Sequence, residues 1–195
     1  MKKLLLSIAL LISTPSLGHS EEAILWKEIN GWSVRMDQSM GNACYISTVY
    51  DDETILRVGY DFSSKNRSIY FAVGNDKWQS LETGKDYQVQ IQFDSNPVWN
   101  ANATAIDLSG TRFLATSTQD VNFLSEFQRK QALRITFNGR RVTSLRLKGS
   151  ASAVHEILDC QDATNEALGP NTSETLNDPF SAKPAGQTRS DPFEL

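Results

Sequence analysis

The chain has 195 residues, a net charge of −4, two cysteines and two histidines, and 39% of it is hydrophobic. That length is one ordinary domain with trimmings, and the apolar share is enough for a core. Two histidines exclude a three-histidine zinc site and two cysteines exclude a four-cysteine one. The acidic balance argues against bulk nucleic-acid binding.

Residues 1–20 read as an export signal. Lys2 and Lys3 give the positive start, Leu4 to Ile12 is an apolar run broken only by Ser7, and Pro15 and small residues follow. This is the three-part secretory pattern, and the run is too short to span a bilayer. Cleavage is expected after Gly18 or Ser20. It leaves 17 basic against 23 acidic residues, a net charge of −6, and, when it falls after Ser20, His155 as the one histidine. The mature chain is expected to be periplasmic or secreted and not integral to a membrane.

Residues 21–160 form the expected β-rich domain. Strand-like runs recur at Trp32–Met36, Cys44–Tyr50, Thr54–Asp61, Ser68–Val73, Tyr87–Phe93, Trp99–Ile106, Phe113–Thr116, Leu133–Phe137 and Val142–Leu147. Val89, Ile91 and Phe93 alternate with Gln88, Gln90 and Gln92, and Leu133, Ile135 and Phe137 alternate with Arg134 and Thr136. Such alternation means one face buried and one wet, as in antiparallel sheets. Turn signals such as Thr83-Gly84-Lys85-Asp86 and Asn138-Gly139 separate the runs. The expected fold is an antiparallel β-sandwich or partly closed barrel.

Two short helices are expected to interrupt it. The first spans about Asp120 to Gln131, with Val121, Phe123, Leu124 and Phe127 in its stripe and Thr118 or Asp120 as cap. The second runs from Gly149-Ser150 to Cys160. Its expected apolar face is Ala153, Val154, Ile157, Leu158 and Cys160, with Ser152, His155, Glu156 and Asp159 opposite. A plain two-residue turn at Asn138-Gly139 would leave Leu145 and Leu147 on the face opposite Ile135. A bulge or longer loop is therefore predicted near Arg140–Thr143.

Residues 161–195 lack valine, isoleucine, tyrosine and tryptophan, and carry six acids against two bases. Such a stretch buries too little apolar surface to offset its ordering entropy, so a disordered acidic tail is predicted. It repeats Asn177-Asp178-Pro179-Phe180 as Ser190-Asp191-Pro192-Phe193. The repeat reads as a chance echo in a biased tail or as a docking motif.

Cys44 and Cys160 lie toward the two ends of the domain. In an exported chain they read as a disulfide, with buried free thiols as the alternative. A CxxC redox pair is absent. His155 could serve as a base, although a surface histidine in an acidic setting is the commoner case. No Gly-x-Ser-x-Gly elbow, His-Glu-x-x-His, EF-hand or Walker motif accompanies it, so no metal or cofactor is expected. From Phe127 to His155 there are seven Lys or Arg residues and no acid. Arg134, Arg146 and Lys148 are expected to share a solvent face that could meet an anionic partner. Trp78 lies in a polar turn and reads as a core plug or as a stacking surface for a sugar.

The stretch from Phe127 through Ala132-Leu133-Arg134-Ile135, the Asn138-Gly139 turn, Leu145-Arg146-Leu147-Lys148-Gly149-Ser150 and Ala153-Val154-His155-Glu156-Ile157-Leu158 to Cys160 has a recognisable layout. It resembles the end of small exported Gram-negative proteins of the invasion-associated locus B type. The resemblance covers about 35 residues of the domain. It implies a non-catalytic, β-rich envelope protein and no particular site residue. The expected function is a monomeric protein that interacts with an envelope protein or an anionic surface. The alternatives are a glycan- or small-ligand-binding module and, more remotely, a carboxylate-dependent hydrolase.

Overall fold

A computed structural model of the protein describes residues 23–168. The signal-like start and the Asp-Pro-Phe repeat lie outside the described residues. Ten strands form one sheet: β1 (Ile24–Ile29), β2 (Trp32–Asp37), β3 (Ala43–Val49), β4 (Ile55–Asp61), β5 (Ser68–Gly74), β6 (Asp86–Phe93), β7 (Trp99–Leu108), β8 (Thr111–Thr118), β9 (Ala132–Phe137) and β10 (Arg140–Arg146). The helices are α1 (Asn122–Arg129) and α2 (Ser150–Leu168), with a 3-10 turn at Gln38–Met40. Every strand pairing is antiparallel.

The strand order is β1-β2-β3-β4-β5-β8-β7-β6-β9-β10, so the sheet keeps two free edges. It nevertheless curls on itself. Side chains of the first strands reach the last one without strand pairing. The Trp32 indole N–H donates to the Lys148 carbonyl at 3.0 Å, and the Tyr50 hydroxyl donates to the Arg146 carbonyl at 2.8 Å.

All nine predicted strands form. β1 was not among them, because Ile24-Leu25-Trp26 does not alternate. Its pairing with β2 slips between Leu25 and Lys27, so Trp26 is the extra residue of a bulge that hides period two. The predicted bulge in β10 is present. Arg140 pairs with Phe137 and Arg141 with Thr136, then the register shifts so that Thr143 faces Ile135 and Leu145 faces Leu133. Val142 is the extra residue, and it returns Leu145 and Leu147 to the buried face.

The core lies between the curled sheet and the helices. Trp32, Ile46, Leu56, Ile91, Phe93, Leu133 and Ile135 from the strands meet Phe127 of α1 and Ile157 of α2. Edge-to-face aromatic contacts link Phe93 to Phe123 at 5.3 Å, Trp99 to Phe123 at 5.5 Å and Trp32 to Phe127 at 5.7 Å. This is the geometry that ring quadrupoles favour. At the start of α1, the Asp120 carboxylate accepts the Asn122 backbone N–H at 2.9 Å, which satisfies one of the helix's open donors.

Helix α2 departs from expectation in two ways. It is not short, since its 19 residues carry it to Leu168. Residues 161–168, assigned to the tail by composition, therefore belong to the domain. Gln161 explains the extension. It is 6% exposed, accepts from the Cys44 N–H at 2.9 Å and donates to the Asn42 carbonyl at 3.3 Å. Local composition does not register such long-range bonds. The second departure is Leu158, which is exposed. The buried stripe runs through Ser150, Ala153, Val154, Ile157, Cys160 and Gln161, and Leu158 falls one position off it.

Candidate interaction surfaces

The disulfide joins Cys44 on β3 to Cys160 on α2, residues 116 apart in sequence with Cα atoms separated by 6.2 Å. Both sulfurs belong to residues fully buried in the core. The bridge fixes α2 against the sheet and leaves no free thiol among the described residues.

The basic residues of the last hairpin lie on the outer face of β9 and β10. Arg134 sits opposite Gln92 on one side and Ser144 on the other. Arg146 is opposite Ala132 and Arg141 opposite Thr136, so all three arginines share that face. Lys148 follows just past the strand and is exposed. The Arg134 guanidinium donates to the Gln92 side-chain carbonyl at 3.4 Å. Among the described residues none of these four cations has an ion-pair partner. The neighbouring Arg129 and Lys130 are directed elsewhere, onto the Ser125 hydroxyl and the Asn96 side chain.

The face continues as a polar ladder across β6 and β7. Gln90 donates to Asn100 at 3.2 Å and accepts from the Thr136 hydroxyl at 3.3 Å, and Gln88 donates to Asn102 at 2.8 Å. At its far end Asp86 accepts from Thr104 at 2.7 Å and from Asn102 at 3.0 Å. Those hydrogen bonds hold the Asp86 carboxyl below its ordinary pKa.

Trp78 is half-buried and packs against the main core, so its plug role is real. It also walls a cavity of about 230 Å³ with Leu81, Tyr87, Leu114, Phe137 and Val142. The turn that holds it is pinned by buried Asn75, which donates to Thr54 Oγ1 and to the Asp52 carbonyl, both at 3.0 Å. His155 lies exposed on α2, with Nε2 4.0 Å from Asp159. The adjacent Glu156 faces away from it to pair with Lys27.

A larger feature was not legible in the sequence. A trough of about 460 Å³ crosses the outer surfaces of β4, β5, β8 and β7. Arg57 stands at one end, its guanidinium 4.1 Å from the centre of the Tyr45 ring and 5.9 Å from that of Tyr70. It makes one ion pair, to Asp37 at 3.3 Å. Among the described residues its Nε has no hydrogen-bond partner, and the buried Tyr70 hydroxyl stands beside the guanidinium. Burial pushes the Tyr70 hydroxyl well above its ordinary range, against the opposing pull of the Arg57 charge. Ala72 and Ala115 form a low floor, and Met40, Ile106 and Leu108 add apolar lining. Gly59 lets the rings close over β4, because a Cβ there would stand 2.3 Å from the Tyr45 Cβ.

Tyr45, Arg57 and Tyr70 lie on three separate strands, β3, β4 and β5. Only the registers Tyr45↔Gly59↔Tyr70 and Arg57↔Ala72 gather them. Two carboxylates, Asp37 and Asp61, line the same trough. Asp37 already accepts from the Ser39 N–H and hydroxyl as well as from Arg57. Asp61 accepts from the Ser63 N–H and hydroxyl. These are turn-capping arrangements rather than an acid–base pair flanking a substrate. Among the described residues no group of three His, Cys, Asp or Glu side chains could hold a metal ion. No helix among them is long and apolar enough to cross a membrane.

By sequence, the chain matches no protein-family model and no curated protein. By structure, it is similar to invasion associated protein B from Bartonella henselae, solved by crystallography. The TM-score is 0.50 with 12% identity, over 70% of this chain and 97% of that one. The resemblance read from the last hairpin and helix thus holds at the level of fold, across almost the whole of the other protein. At that identity it is a likeness of architecture.

Proposed function

We propose that the protein is an exported envelope protein, periplasmic or secreted, that acts as a monomer by binding an anionic partner rather than by catalysis. The observation that carries this reading is the outer face of β9 and β10. There Arg134, Arg141, Arg146 and Lys148 are exposed and without ion pairs among the described residues. On a chain of net negative charge, such a face attracts an acidic protein surface or anionic headgroups and repels other copies of itself. The charges also guard β10, an open sheet edge, against indiscriminate pairing. Export is supported by the disulfide, which persists in oxidising compartments, and by the signal-like start. The fold shared with an invasion associated protein accords with an envelope role.

The test is a cross-linking pull-down from the envelope fraction with wild type and an Arg134→Glu/Arg146→Glu variant. The variant is expected to lose the captured partner, and added salt is expected to weaken capture by wild type. Equal recovery from both proteins would end this reading.

A second reading rests on the cavity beside Trp78. Its aromatic wall of Trp78, Tyr87 and Phe137 suits a sugar ring or a small apolar ligand. Titration of a glycan panel with tryptophan fluorescence as the readout tests it. A response abolished by Trp78→Ala supports this reading, and an unchanged spectrum across the panel removes it.

A further inference from the structure

The outer face of β9 and β10 continues across two more strands. Arg134 pairs with Gln92 and Thr136 with Gln90, and Gln90 and Gln88 pair in turn with Asn100 and Asn102. One surface therefore presents cations along the hairpin and side-chain amides beside them. Arg141 and Arg146 lie opposite Thr136 and Ala132, which places them about 13 Å apart along the strand. Arg134 stands midway between those two partners, one strand over, at a spacing of about 4.8 Å. Lys148 prolongs the row past Arg146 and is exposed. Among the described residues none of these cations has an ion pair.

The amides are held and yet not exhausted. Gln90 donates one N–H to Asn100 and accepts from Thr136, and Gln88 donates one N–H to Asn102. A carboxamide has two N–H donors and two acceptor lone pairs, so both exposed glutamines keep a donor and an acceptor for a ligand. The bonds already made fix these side chains, and a fixed side chain loses less entropy on binding.

The surface lacks what a protein or a bilayer would use. Protein interfaces have an apolar, aromatic-rich centre, and membrane-surface binders insert an apolar face beneath the headgroups. Among the described residues the exposed large apolar side chains lie elsewhere, on β1 and β3 and on or beside the helices, with Val98 bordering the surface just before β7.

We propose that this surface binds an acidic polysaccharide, with its carboxylates on Arg141, Arg134 and Arg146 and its hydroxyls on Gln90 and Gln88. A guanidinium fork matches a carboxylate with two parallel hydrogen bonds. A hydroxyl is both donor and acceptor, as is the spare capacity of each glutamine. Asp86, at the far end of the ladder, repels an anion there and confines the charged units to the side of β9 and β10. The inference rests on the reading of the basic face as the site of an anionic partner, and it names that partner's class.

Isothermal titration calorimetry of the full chain tests it with four probes. Polygalacturonate carries carboxylates and hydroxyls, poly-glutamate carboxylates alone, and dextran hydroxyls alone; vesicles of phosphatidylglycerol and phosphatidylcholine supply an anionic bilayer. Polygalacturonate is expected to bind about tenfold or more tightly than any other probe, and more weakly as salt is added. Arg134→Glu/Arg146→Glu is expected to lower that affinity about tenfold or more. Gln90→Ala is expected to lower it several-fold and to leave poly-glutamate binding unchanged. Circular dichroism certifies the fold of each variant. An unchanged polygalacturonate affinity in either variant overturns the proposal, as does an equal loss for both polyanions in Gln90→Ala. Poly-glutamate or vesicles binding as tightly as polygalacturonate also overturns it. The reading of an anionic partner then stands if the charge reversal abolishes that binding, and falls if it does not. Absence of binding by polygalacturonate overturns the proposal and leaves the pull-down to decide that reading.

Discussion

The side-chain oxygen of Gln161 accepts the backbone N–H of Cys44 at 2.9 Å, one residue beyond Cys160, to which Cys44 is covalently bonded. The same turn of α2 thus holds β3 by a hydrogen bond and by a disulfide. Removing the bridge with Cys44→Ala/Cys160→Ala is expected to cost up to about 4–5 kcal/mol, the chain-entropy figure for a loop of this length. Gln161→Leu leaves a buried N–H unpaired and is expected to cost about 1–3 kcal/mol with the bridge intact. Urea unfolding with and without reductant measures both. Thiol labelling of the unreduced protein is expected to find no free cysteine, and two labelled thiols would contradict the bridge.

Val142 is the residue that sets the register of the last hairpin. Deleting it removes the bulge behind the two-residue turn and sends Leu145 and Leu147 toward solvent. Both are buried, and full burial of such side chains is worth about 1.5–3 kcal/mol each. The deletion is expected to unfold the protein or lower its urea midpoint steeply. Val142→Ala keeps the count of residues and is expected to be mild by comparison. Circular dichroism during denaturation separates the two.

Gly59 lies under the tyrosines of the trough. A Cβ there would stand 2.3 Å from the Tyr45 Cβ and 2.6 Å from its Cα, and backbone cannot yield as a flexible side chain can. Gly59→Ala is therefore expected to destabilise by about 1–3 kcal/mol or more and to separate Tyr45 from Arg57. Thermal unfolding reads the first effect and near-ultraviolet circular dichroism the second.

Asp86 gives a pH-dependent signal. Its hydrogen bonds from Thr104 and Asn102 depress the folded-state pKa below 3.8. A depressed carboxyl contributes stability that is present above its unfolded pKa and is lost as pH falls through the folded one. The Asp86 carboxyl is thus expected to titrate below the ordinary aspartate value in an NMR acid titration. Thr104→Val removes the largest cause and is expected to raise that midpoint toward 3.8.

Much of the fold was legible in the chain itself. Val89, Ile91 and Phe93 announce their strand because each contacts the core at every second residue, and periodicity records burial directly. The bulge at Val142 was legible for the same reason, since Leu145 and Leu147 had to return to the face of Ile135. The cysteines paired as the export reading required. β1 was not legible because a bulge at Trp26 breaks its alternation. The end of α2 was misplaced because Gln161 is held by Cys44 and Asn42, more than a hundred residues earlier.

The sequence by itself determined the local matters. These are which face of most strands is buried, where the chain turns, which cysteines meet and which charges stay on the outside of the last hairpin. Each follows from neighbours within a few residues or from a count of two. Only the tertiary structure decided that β8 would lie beside β5, with β7 and β6 following in reverse order. That choice, with the registers of β3, β4 and β5, brings Arg57 between two tyrosines and opens a trough beside them. Strand order is set by packing between distant segments, and no periodicity within one strand encodes its neighbour.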